Sequence, residues 1–226
     1  MKAPKQAKPV ARAAGSIRGR PPAAGRDEGI PQEVADLFLV HGFNGVSMDA
    51  VNRITGGSKR DLYRRFGDKE ALFGRVIVEL CRERIGMLRA AMPRGGTAKA
   101  SLTLCGKAFL EMLMAPRTLA LHRLLVAEGR RLPEVAANFL REGPSGAYAA
   151  FADVLRFHAG EGETEVVDPD LAARLFLDGI SGSLQLRALV GEEIAEDEIG
   201  AVVSAGVDLF MTALTPARPG SARLGP

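Results

Sequence analysis

Between Gly42 and Asp68 the chain stops and restarts a helix three times, and this punctuation narrows what it can fold into. Ser47 stands as an N-cap before Met48 and Asp49, with the acid placed to favour the positive end of a helix. Met48, Val51 and Ile54 form its apolar stripe, and Gly56-Gly57 breaks it. Ser58 opens the next helix, and Asp61 three residues later completes a capping signature. Leu62 and Phe66 face inward at i, i+4, and Gly67 ends the helix. Asp68 caps a fourth helix, with Glu70 in its first turn, that runs to about Met92. Upstream, Val34, Leu37, Phe38 and His41 recur at helical spacing from Ile30, and Gly42 is expected to stop that first helix. Helices this short are not stable alone and must bury their stripes against one another.

The rest of the chain continues in helices. Pro93 and Gly95-Gly96 mark a break, after which the spacing predicts helices near 97–114, 117–130, 133–158, 169–190 and 195–214. Gly143-Pro144 either splits or kinks the third of these. Residues 159–169 read as a loop. No alternating strand pattern and no internal repeat is found, so the fold class is all-α. The divisions are a disordered basic arm over residues 1–26, a helix-turn-helix unit over 27–73, a longer helical domain over 74–215, and a flexible tail over 216–226.

Charge is unevenly placed. Net charge is +3, yet residues 1–26 hold seven Lys or Arg and no acid, which leaves the body mildly acidic. Such an arm suits a polyanionic partner. Arg18-Gly19-Arg20-Pro21 has the look of a minor-groove hook, so Arg18 and Arg20 are candidate DNA contacts beside a purely electrostatic reading. Cys81 and Cys105 stand alone in apolar helical patterns and read as buried thiols, not as a metal site or disulfide. No cofactor is called for. No stretch reads as a secretory signal or a membrane span, so a cytoplasmic protein without membrane contact is expected. His41, His122 and His158 are scattered, and no nucleophile, metal-protease, P-loop or dinucleotide motif occurs. An enzyme is not expected.

Two short helices joined by a Gly-containing turn form the unit whose second helix enters the DNA major groove. In the second helix Lys59 and Tyr63, and Arg60 and Arg64, are i, i+4 neighbours opposite the buried stripe. Lys and Arg suit guanine edges or phosphates, and a Tyr hydroxyl suits a phosphate. Backbone N–H groups at the Ser47 and Asp68 helix starts, with Lys69 beside the latter, suit phosphates too. Ser58, at the start of the reading helix, completes the candidate set.

Residues 34–73, VADLFLVHGFNGVSMDAVNRITGGSKRDLYRRFGDKEALF, resemble the DNA-binding domain of the tetracycline-repressor (TetR) family. The matching elements are LF…HGF, SMDAV, GxS, LYRRF and DKEALF, in order and at the family's spacing. The resemblance implies a dimeric, ligand-responsive transcriptional regulator, most often a repressor, bound to a double-stranded operator. It implies phosphate contacts from Ser47, Tyr63 and Lys69, and base or groove contacts from Lys59, Arg60 and Arg64. Asn52, Thr55, Gly57 and Arg60 depart from the family's usual residues. The Asn52 and Gly57 changes are expected to loosen helix packing, and Arg60 makes the groove face more basic.

The C-terminal half is expected to sense and to dimerise. Phe109, Leu113, Tyr148 and Phe151 either line a cavity for a small apolar or amphipathic ligand or fill plain core. His122 and Arg123, polar positions on an apolar helix, either orient that ligand or sit at the surface. The resemblance makes the last two helices a four-helix homodimer interface, with Leu175, Gly179, Gly182, Leu186, Val203 and Phe210 as candidate contacts. A regulator without a small-molecule ligand is the alternative. Ligand binding is expected to shift the 68–92 helix, with Gly74 and Gly86 as candidate flex points.

Overall fold

In the computed structural model, the structure describes residues 29–93 and 95–214, and among them ten helices and no strand. Arg18, Arg20 and the tail 216–226 lie outside the described residues. The helices are α1 (Gln32–Gly45), α2 (Met48–Thr55), α3 (Lys59–Phe66), α4 (Lys69–Ala91) and α5 (Ala98–Met114). They continue as α6 (Pro116–Glu128), α7 (Pro133–Glu142), α8 (Pro144–Gly160), α9 (Pro169–Leu189) and α10 (Glu196–Leu214).

The caps that punctuate the sequence act where expected. Ser47 Oγ accepts from the Ala50 N–H, Ser58 Oγ from Asp61, and an Asp68 carboxylate oxygen from Ala71. Gly56 and Gly57 both hold left-handed φ values, 70° and 85°, so the α2–α3 turn needs residues without a Cβ. Gly42 behaves differently from expectation. It takes φ 70° and bends α1 without ending it, and the helix resumes to Gly45. The bend places Phe43 against Phe73, ring centroids 5.3 Å apart. The segment 133–158 is divided at Gly143, and each half begins with a proline, which fits a first helical turn because no N–H partner is required there.

Two apolar cores organise the helices. The first gathers Val34 and Phe38 of α1, Val51 of α2, Leu62 and Phe66 of α3, and the first half of α4. It runs on without a gap into Leu121, Leu124 and Leu125 of α6 and Val135 of α7. The second joins the far end of α4 to α5, α8, α9 and α10, with Phe151 and Phe176 stacked at 4.8 Å. Gly74 lies where an added Cβ would meet Val135 at 3.7 Å, so it serves the α4–α7 approach, whereas Gly86 faces open space. Cys81 and Cys105 are free and buried, and burial pushes both thiols up to about 12. No helix among the described residues is long and apolar enough to cross a membrane.

Candidate DNA-reading head and ligand cavity

Helix α3 is held from below and open above. Leu62 and Phe66 are buried, while Lys59, Arg60, Tyr63 and Arg64 are all exposed on the other side. Lys59 pairs with Asp49 of α2 at 2.8 Å, and this bond and charge raise its pKa. Arg64 pairs with Asp61 at 2.8 Å. Arg60 and the Tyr63 hydroxyl bond no described residue, so both are ready for an outside partner. Asn52 donates to the Gly57 carbonyl at 3.4 Å, so this departure ties α2 to the turn that follows it.

Lys69 stands apart from the rest of the set. Its ammonium donates to the carbonyls of Phe43 and Val46 at 3.0 and 3.1 Å and lies 4.3 Å over the Phe43 ring. It locks the α1–α2 turn onto the start of α4, with two of its three donors engaged. Arg65, which was not in the candidate set, lies over Phe66 at 4.7 Å, and its carbonyl accepts from Arg75.

A cavity of about 220 Å³ lies deeper, walled by α4, α5, α6, α8 and α9. Ile85, Phe109, Met112, Leu113 and Leu121 supply apolar wall; Arg84, Thr118, His122, Tyr148 and Asp178 supply polar groups. The Tyr148 hydroxyl donates to Asp178 Oδ1 at 2.6 Å. Burial, this bond and the Asp178 charge push its pKa up to about 12. Burial lowers the His122 pKa, against the pull of the Thr118 carbonyl it bonds at 2.8 Å. A wider cleft of about 610 Å³ between α4 and α7 carries Glu70, Arg75, Glu79 and Arg82, a charged lining that suits water better than an apolar ligand.

Two pocket expectations need correction. Phe151 is fully buried in the second core, stacked on Phe176, and does not reach the cavity. Arg123 points the other way on α6 and donates to the carbonyls of Ala188 and Leu189, closing the C-terminal end of α9. Phe109, Leu113, His122 and Tyr148 do line the cavity.

Residues 34–76 match the family described as bacterial regulatory proteins, tetR family, and residues 100–215 match the AefR-like transcriptional repressor C-terminal domain. The chain belongs to the TetR family. Among solved structures, the flavonoid-responsive regulator FrrA is 30% identical, with a TM-score of 0.68 over 80% of this chain and 92% of that one. A TetR-family regulator from Mesorhizobium loti MAFF303099 is 22% identical, with a TM-score of 0.76 over 81% and 94%. A TetR regulator from Agrobacterium tumefaciens is 21% identical, with a TM-score of 0.66 over 81% and 91%. The last two show the fold alone. No curated protein matches the chain. As a TetR-family member it is a DNA-binding transcriptional regulator and not an enzyme.

On this TetR-family frame α9 carries an exposed stripe at i, i+4, i+7 and i+11. Leu175 and Leu186 are 62% and 64% exposed. Gly179 and Gly182 lie between them with nothing within 4 Å of an added Cβ. Leu171 and Val190 extend the stripe, and Leu209 of α10 is exposed as well. Val203 does not belong to it. It is buried in the second core, 3.1 Å from where a Gly106 Cβ would stand. Phe210 is half-buried with its ring 5.0 Å from Phe176. Sequence reading missed Arg84, Thr118 and Asp178 in the cavity and Asp49 beside Lys59. All four depend on packing between helices, for which periodicity along one helix carries no signal.

Proposed function

We propose that the chain is a homodimeric repressor that binds an operator through α3 and releases it when a small amphipathic ligand fills the cavity between α4, α6 and α8. One observation carries the reading. The cavity is walled by Cys81, Arg84 and Ile85 of α4, the helix that begins immediately after the reading helix. Helix α6 offers a second lever, because Leu121 belongs both to the cavity wall and to the core that holds the head. A ligand that fits only one disposition of these helices shifts the head by its difference in affinity between the two forms. The exposed α9 stripe supports pairing with a second copy, which would set two heads about one DNA turn apart, roughly 34–36 Å. Such a regulator acts in the cytoplasm, where its operator is. FrrA is flavonoid-responsive and 30% identical, and the same broad class suits an apolar cavity with a few polar groups.

The test is binding of the purified chain to a labelled duplex from the region upstream of its own gene, with naringenin, a flavanone, added stepwise. Wild type is expected to bind saturably and to be released. Leu113→Trp, which fills the cavity, is expected to bind the duplex equally and to stay bound. Release of both proteins alike, or of neither, would contradict the ligand-gated reading and favour a regulator without a small-molecule ligand.

A further inference from the structure

We propose that Thr118 and His122 form the reading pole of the cavity and select a neutral hydroxyl group on the ligand over its methyl ether and over a carboxylate. The proposal rests on the cavity being the ligand site. Thr118 and His122 are i, i+4 neighbours on α6 and both line the same space. His122 Nδ1 lies 2.8 Å from the Thr118 carbonyl oxygen. A carbonyl only accepts, so the proton sits on Nδ1 and the ring presents a lone pair at Nε2. Burial lowers the pKa of the ring and so favours its neutral form, and the ring is braced edge-on against Phe139 with centroids 5.2 Å apart. Among the described residues none bonds Nε2. The Thr118 hydroxyl, on the same face, is buried and has no hydrogen-bond partner.

This pole therefore offers an acceptor that needs a donor, beside a hydroxyl that needs either. A ligand O–H satisfies both, donating to Nε2 and accepting from Thr118 Oγ. A methyl ether that fills the cavity displaces water from Nε2 yet cannot donate to it, so the acceptor is left unpaired, which is the strongest basis for discrimination between near-isosteres. A carboxylate sets its lone pairs against that of Nε2, and the Asp178 carboxylate in the same cavity adds like charge. Among the described residues that line the cavity Arg84, on the α4 wall, is the cation, and it favours an anion. Aromatic compounds with one polar substituent separate these possibilities.

The experiment is calorimetric titration of the full chain with 2-naphthol, 2-methoxynaphthalene and 2-naphthoate, for wild type, His122→Phe and Thr118→Val. Wild type is expected to bind 2-naphthol at least about tenfold tighter than either of the others. In both variants that preference is expected to fall to about threefold or less, while the ether's affinity changes by less than about threefold. A preference for 2-naphthol that survives in both variants overturns the proposal, as does tightest binding of 2-naphthoate, which would assign the reading to Arg84. Equal binding of naphthol and ether by wild type overturns the proposal and leaves the cavity reading standing. No binding of any of the three overturns both.

Discussion

Replacing Leu175 and Leu186 together by Glu is expected to leave a folded monomer that binds operator DNA at least about 100-fold more weakly than wild type. Both side chains are more than half exposed in the protomer, so their loss removes nothing from either core. In a two-fold dimer each lies against its own counterpart or a neighbour of it, and each Leu buried there contributes about 1.5–3 kcal/mol. Glu at the same place adds an unpaired charge to an apolar seam. Separated protomers also lose the linked second head, and linkage of two binding modules is worth about 10²–10⁴ in affinity. Sedimentation velocity reads the first effect, a duplex-binding titration the second, and circular dichroism confirms the retained fold. A double variant that still sediments as a dimer would place the interface elsewhere.

The largest stability effect is expected from Phe38→Ala. Phe38 is fully buried, and its ring lies 5.0 Å from Phe73. Large-to-small changes of this kind cost about 3–5 kcal/mol, from lost transfer energy and from the cavity left behind. The head does not stand apart from the body, because its core continues into α6 and α7. The loss is therefore expected to lower one cooperative thermal transition, by roughly 10 °C. Val40→Ser on the same helix, three-quarters exposed, is expected to change stability by less than about 0.5 kcal/mol. Scanning calorimetry checks both. A second, separate low-temperature transition in Phe38→Ala would mean that the head unfolds alone.

The head was legible in the sequence because its determinants are local. Ser47, Ser58 and Asp68 each bond an N–H three residues away, so spacing alone announces them. The same holds for Leu62 and Phe66 under the exposed cations of α3. Gly42 was harder to read, because a left-handed glycine bends a helix or ends it according to what the next residues can pack against, here Phe43 on Phe73. Lys69 shows the same limit. Its position at a helix start suits a phosphate, but two carbonyls over 20 residues away engage most of its donors. The cavity was legible only in part. Phe109 and Leu113 face it while Phe151 fills core, although all three sit at helical spacing in apolar segments. Which apolar side chain meets empty space depends on where neighbouring helices fall. Arg123 and Val203 were misplaced for that reason, since their partners lie 65 residues or more away or on another helix.

The central claim is that α3 reads DNA, and it is tested most directly by a salt-titrated binding assay on the upstream duplex, with wild type beside Arg60→Ala and Tyr63→Ala. Arg60 and Tyr63 are exposed, and neither side chain hydrogen-bonds a described residue, so their loss should cost the head little stability. Wild type is expected to bind saturably and sequence-selectively, with an affinity that falls steeply with salt, and both variants are expected to show marked loss. If Arg60 meets a phosphate, its removal should lower the salt slope by about 1; if it meets a base, selectivity should relax at one position. Binding that is unselective, and equal in all three proteins, would contradict the account and move the working surface away from the helix-turn-helix.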